Sequence, residues 1–235
     1  MKLTNKILLV FLILLVLSVT AYKIVFDSKV ELLPNPFDKK TTYTYIKIPI
    51  IDNNLSEFEL RGRFIVNFKQ RDTSRVTIEG PDNLINHYLS VEQQGNKFSV
   101  HSKIDLSKYS EYIRVYFFIK NLKTIKASGG VVISSEEFTG DTLDVSAYDS
   151  SVVRIKYCKL IDAQIMEKDK SMVILDKTKN ATIHLYDYSN LLLTLDGGEV
   201  NGAIENNTDF GIEGKIKMNN VLRMNSNQKH AGGQK

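Results

Sequence analysis

The sequence has no tryptophan, one cysteine and four prolines in 235 residues. With Cys158 alone, an intramolecular disulfide framework and any site built from several cysteines are excluded. The residue reads as a small buried or half-buried side chain, because no His or Asn context marks it as a nucleophile. A surplus of one charge is lacking too. Setting aside Lys2 and Lys6 of the N-terminal segment leaves 29 Lys and Arg against 27 Asp and Glu, too even a balance for a nucleic-acid binder. His87, His101, His184 and His230 show no metal-ligand spacing. No G-x-S-x-G, G-x-G-x-x-G, P-loop or H-E-x-x-H segment occurs, so no catalytic residue, cofactor or metal site is expected.

What is present begins with an export signal. "MKLTNKILLVFLILLVLSVTAYK" places Lys2 and Lys6 before an unbroken apolar run from Ile7 to Leu17, the pattern of a secretory signal peptide or signal anchor. The run to Ala21 is 15 residues, short of the roughly 20 that span a bilayer as a helix. Tyr22, Ile24, Val25 and Phe26 extend it past Lys23. Cleavage after Ala21 and retention as an anchor over residues 7–26 both stay open, and either predicts a periplasmic or cell-surface location. Residues 1–26 are therefore set apart, with 27–42 as a Pro34- and Pro36-containing linker.

From residue 43 onward the period is that of β-strands. Phe64, Val66 and Phe68 share one face, as do Val76 and Ile78, Phe98 and Val100, and Ile113, Val115, Phe117 and Ile119. The one helical turn expected is "PDNLINHYL", where Pro81 and Asp82 precede Leu84 and Ile85. After residue 121 the strands shorten and repeat. Ile125, Val145, Ile165 and Ile183 follow one another at spacings of 20, 20 and 18. Ile133, Val153, Val173 and Leu191 follow eight residues behind them. Two residues behind them come Ala127, Ala147 and Leu185, with Glu167 as the exception. Such a period predicts stacked coils of about 18–20 residues, each too small to bury its own apolar face. Gly129, Asp149, Asp169 and Asp187 fall where the chain must turn. Asp is expected there to accept hydrogen bonds from backbone N–H groups two residues on, and Gly to tolerate φ > 0. The predicted fold is all-β, with N-terminal strands over 43–121, repeated coils over 122–217 and a flexible tail over 218–235.

Two segments carry a family likeness. "SEFELRGRFIVNFKQRDTSRVTIEGPDNLINHYLSVEQQGNKFSVHSK" and "YIRVYFFIKNLKTIKASGGVVIS" resemble the bacterial family called putative auto-transporter adhesin, head GIN domain, over about residues 56–217. The resemblance implies a right-handed parallel β-solenoid (β-helix) outside a membrane, with no established enzymatic activity. This chain departs from it in having Asp-x-Ser at three corners where the family is rich in Ser-Gly.

Stacked in register, Asp149, Asp169 and Asp187 would stand about 4.8 Å apart. They either turn their own corners and face solvent, or form an oxygen ladder for Ca²⁺ like that of β-helix polysaccharide lyases. Tyr148 and Tyr186 both directly precede a corner Asp. They are read either as a stacked pair holding a sugar ring or partner protein, or as an outward aromatic ladder that stabilises the sheet. The line Tyr148, Asp149, Asp169, Tyr186 and Asp187 is the candidate ligand or partner surface. The expected function is a non-catalytic, exported envelope protein, an adhesin or structural element with a protein or glycan ligand, tethered to the membrane by its N-terminal segment. Self-association through an uncapped terminal coil is expected. The alternatives are a carbohydrate-active β-helix enzyme and an envelope signalling or scaffold partner.

Overall fold

Alternation of apolar and polar residues decides almost every element. A computed structural model describes residues 43–50, 54–106, 112–205 and 207–224. The expected signal or anchor, the linker and the last residues of the tail lie outside them. Among the described residues no helix is long and apolar enough to cross a membrane.

The first part of the chain holds β1 (Tyr43–Ile48), β2 (Glu57–Arg61), β3 (Ile65–Gln70), β4 (Arg75–Pro81), α1 (Asp82–Tyr88), β5 (Leu89–Gln94), β6 (Lys97–Ser102) and β7 (Arg114–Ile119). The second holds β8 (Thr124–Ser128), β9 (Val132–Glu136), β10 (Thr139–Ala147), β11 (Val152–Lys156), β12 (Lys159–Glu167), β13 (Met172–Leu185), β14 (Asn190–Glu205) and β15 (Asp209–Met224). All strands belong to one sheet that does not close on itself. It is made of two ladders. In the first ladder β1, β4, β7, β3, β9 and β11 lead to the first half of β13; in the second β5, β6, β2, β8, β10 and β12 lead to its second half. The long strands β13, β14 and β15 bend from one ladder into the other.

The register follows the sequence arithmetic. Ile125 pairs with Val145, Val145 with Ile165, and Ile165 with Ile183, all in parallel. Ile133, Val153, Val173 and Leu191 form the same kind of column in the first ladder. All eight side chains are at most 1% exposed and belong to a single core. The expected helix forms over α1, burying Leu84 and Ile85. The expected boundary at 217 falls inside β15, because Val221 still turns inward, in register with Gly202.

The corners differ from expectation in their chemistry. The bonds that close them are backbone ones: Ser151 N–H donates to Tyr148 O (3.0 Å) and Ser189 N–H to Tyr186 O (3.2 Å). Both central residues are left-handed, with φ 51° and 61° at Asp149 and Ser150, 58° and 62° at Asp169 and Lys170, and 49° and 62° at Asp187 and Tyr188. Gly129 and Gly130 do the same at 73° and 82°. This is the backbone of a type I′ turn. Asp149 and Asp169 are there because Asp tolerates the left-handed region better than most side chains, rather than as acceptors for their own corners. The serine that follows is the first inward residue of the next strand. Ser151, Ser171 and Ser189 are at most 1% exposed, and the Ser171 hydroxyl donates to Ala147 O (2.9 Å) while accepting from Lys168 N–H (3.1 Å).

Of the inward positions that break the apolar rule, Ser135 and Thr178 carry hydroxyls and one carries a carboxyl. Glu167 occupies the column of Ala147 and Leu185 and is 0% exposed. Burial pushes its carboxyl up to about 9, against the smaller pull of the Val173 and Asn190 backbone N–H groups, with neither of which it makes a full hydrogen bond. The group is therefore neutral at pH 7. Cys158 is also buried, and burial pushes its thiol up to about 12, which removes the thiolate that nucleophilic or redox chemistry needs.

Candidate functional site

In a strand, every residue between two inward ones points out. On the second ladder two of the outward columns run across the middle of the strands. One runs Lys97, Glu57, Thr124, Asp144, Gln164, Thr182 and the other Ser99, Glu59, Lys126, Ser146, Met166, His184. Together they floor a groove of about 420 Å³. Its chemistry is mixed. Carboxylates, ammonium groups, an amide, hydroxyls and an imidazole alternate along the floor, and no column carries one charge throughout.

Electrostatics are strongest at the end nearest β6. Lys97 Nζ lies 2.5 Å from Glu59 Oε2, and His101 Nε2 lies 3.8 Å from Glu59 Oε1. The Lys97 hydrogen bond holds the Glu59 carboxyl below the usual carboxylate range. All three groups are more than a third exposed, so the pairs orient side chains rather than stabilise the fold.

The line expected from the sequence flanks this groove. Tyr148 is half-buried and its hydroxyl donates to Met166 Sδ (3.2 Å), on the groove floor. Tyr186 and Asp187 are half-buried; Asp149 and Asp169 are exposed. The corners stack: Ser150 N–H donates to Asp169 O (2.9 Å) and Lys170 N–H to Asp187 O (3.0 Å). Tyr148 and Tyr186 share a column, yet they are not adjacent. Tyr148 N–H bonds to Ala127 O, Lys168 N–H to Ala147 O and Tyr186 N–H to Glu167 O, which sets Lys168 between them. The tyrosines are thus two strand spacings apart, roughly 10 Å, too far for the stacked pair anticipated above. Lys168 Nζ sits 3.7 Å from Asp187 Oδ2. Among the described residues no three His, Cys, Asp or Glu side chains gather to hold a metal ion, and the corner aspartates are no exception.

The groove itself was missed by sequence reasoning. Asp144, Ser146, Gln164, Met166, Thr182 and His184 are readable as the outward partners of the repeat. Glu57, Glu59 and Lys97 join them only because β2 pairs with β8 and with β6.

Residues 54–191 match the family described as putative auto-transporter adhesin, head GIN domain, and the chain belongs to that family. Among solved structures it is similar to a putative adhesin from Bacteroides fragilis NCTC 9343, with 13% identity, a TM-score of 0.57, and coverage of 78% of this chain and 98% of that one. A putative adhesin from Parabacteroides merdae ATCC 43184 gives 17% identity, 80% and 95% coverage and a TM-score of 0.46. One from Parabacteroides distasonis ATCC 8503 gives 16% identity, 78% and 97% coverage and a TM-score of 0.43. The likeness to the B. fragilis protein is one of fold. No curated protein matches the chain.

Proposed function

We propose that the protein is an exported, non-catalytic envelope protein built as a right-handed parallel β-solenoid, which presents the groove of its second ladder to a glycan. Lys2, Lys6 and the run Ile7–Leu17 support export and tethering at the periplasmic or cell-surface side. The adhesin family and the adhesin of like fold support a binding role. A single observation carries the glycan reading. A floor of alternating donors and acceptors lies beside Tyr148, whose ring is fixed at its edge by the Met166 contact. Sugars ask for such a surface: hydroxyls need both donors and acceptors, and the C–H faces of the rings need an aromatic wall.

The test is a glycan array and pull-down with the full chain, beside a Gln164→Ala/Lys126→Ala variant. A glycan retained by the wild type and lost by at least tenfold in the variant supports the reading. Retention that ignores the groove, or capture only of an inner-membrane protein, replaces it with the signalling or scaffold role.

A second reading rests on the same groove. Asp144 and Lys126 line the groove and Tyr148 stands at its edge, an acidic, a basic and a phenolic side chain of the types that acid–base cleavage of a polysaccharide would draw on. Turnover of an acidic polysaccharide that vanishes in Lys126→Ala would make the protein an enzyme; binding without turnover keeps the first reading.

A further inference from the structure

The core is finished at one end and unfinished at the other. At the start, α1 buries Leu84 and Ile85 against it. At the finish, Phe210 and Ile212 stand one strand beyond Leu191 and Leu193 in register. Leu191 and Leu193 are 0% and 2% exposed, whereas Phe210, Ile212 and Val221 are only half-buried. They form the last apolar layer. Among the described strands β15 pairs with β14 alone, so among the described residues its other edge is unpaired over sixteen residues. Asp209 N–H donates to Ser189 O, which turns the backbone groups of Asp209, Gly211 and Glu213 toward β14. Those of Phe210 and Ile212 therefore point off the open edge. A long unpaired edge beside half-buried apolar side chains is a template for another strand. Residues 225–235, "NSNQKHAGGQK", hold no Val, Ile, Leu, Met, Phe or Tyr.

The charges of β15 say which strand fits. Its first half exposes Asp209 and Glu213; its second half exposes Arg223 and Lys217, the latter already paired with Glu199 Oε1 of β14 at 3.2 Å, and Lys215 stands near the midpoint. A second β15 laid antiparallel sets the acidic half of each on the basic half of the other. A parallel arrangement would set like on like. A two-fold axis acting on identical strands gives the antiparallel arrangement and no other. We propose that a second copy of this chain docks on the β15 edge, antiparallel, about a two-fold axis near the bend between Gly214 and Lys217, so that each copy covers the other's last core layer. Sixteen residues a side make an interface smaller than the usual 20–30, so the dimer is expected to dissociate on dilution.

The test is sedimentation of the full chain in mild detergent from low micromolar to near-millimolar concentration, with two variants. Ile212→Pro removes an N–H that points off the edge while leaving the β14 ladder intact. Asp209→Lys sets like charges across the axis, and adding Arg223→Glu restores the complement. The expected result is a monomer–dimer equilibrium that Ile212→Pro abolishes, that Asp209→Lys weakens by about tenfold, and that the double swap recovers. Should Ile212→Pro fail to fold, the charge pair decides alone. A chain monomeric at every concentration overturns the proposal, as does an oligomer indifferent to the charge variants, which would place association in the N-terminal segment.

Discussion

Residues 43–119 centre their share of the core on packed rings; residues 124–224 fill theirs mostly with aliphatic and small side chains, beside the ring of Phe138 and the buried Glu167 and Glu205. In the first region Phe68 stacks on Phe117 at 4.9 Å, while Phe58 and Phe98 meet Phe117 edge-on at 4.8 and 5.4 Å. In the second, Val153, Val173, Ala147 and Leu191 repeat one small layer. The first region has to join antiparallel strands β1, β4 and β5 to a parallel stack, and each junction is unique. The second repeats one junction. Large rings suit the irregular volume, since two of them fill what would take several aliphatics; the repeat needs only side chains of constant width. A unique region fails when one ring is lost, whereas a repeating one can carry a flaw in a single layer.

The largest expected effect breaks the ring cluster. Phe117→Ala should cost about 3–5 kcal/mol and, read by chemical denaturation, should lower the midpoint of the whole unit as one transition. A separate transition for the repeats would show that the regions fold independently.

Next comes the flaw. Glu167 keeps in the folded state a proton that the unfolded chain gives up above its ordinary value of 4.5, because its folded value is about 9. Stability from this group is therefore fully present below 4.5, falls as pH rises, and levels off above about 9. At pH 7 the loss is about 3 kcal/mol. Glu167→Leu, which copies Leu185 of the neighbouring strand, should raise stability by about that amount and flatten the pH dependence, as measured by urea unfolding at pH 5, 7 and 9. An unchanged slope would mean that the carboxyl finds water or a partner inside.

A smaller effect tests the regularity of the repeat. Gly202 lies in the Ile183 column at φ 134°, and a Cβ there would run into the Ile183 carbonyl oxygen. Gly202→Ala should cost about 1–3 kcal/mol in thermal unfolding. The smallest concerns the corners. Asp149→Gly keeps the left-handed backbone and should shift stability by no more than about 0.5 kcal/mol. A loss several times larger would restore a hydrogen-bonding role to that carboxylate.

These cases also mark what was legible in the sequence. The columns through Ile125 and Ile133 were open to view because a period-2 strand inside a 20-residue repeat leaves its signature in one dimension. The corners were located correctly, since Gly-Gly and Asp-x answer the same demand on φ; their bonding was not, because a letter gives a conformational preference and not a partner. Lys168 between Tyr148 and Tyr186 was within reach of the arithmetic, as 148, 168 and 186 follow the repeat. The groove was not. It requires β2 to lie beside β8, and no periodicity links Glu59 to Lys126 across 67 residues. The reach of β15 to Met224 was hidden because the register shifts after Met218, so that no period-2 pattern runs through Asn219 and Asn220 to Val221.

That same 67-residue step sets the order in which the chain can assemble. Closing it costs about 1 kcal/mol more loop entropy than closing a 20-residue repeat, and it must be met before β8 and β9 join the first region. Each later strand then adds to an edge already in place through a short loop, as in a one-dimensional zipper. A chain delivered N-terminus first has its slow step behind it while the repeats are still emerging, and grows toward β15 like a crystal from its seed.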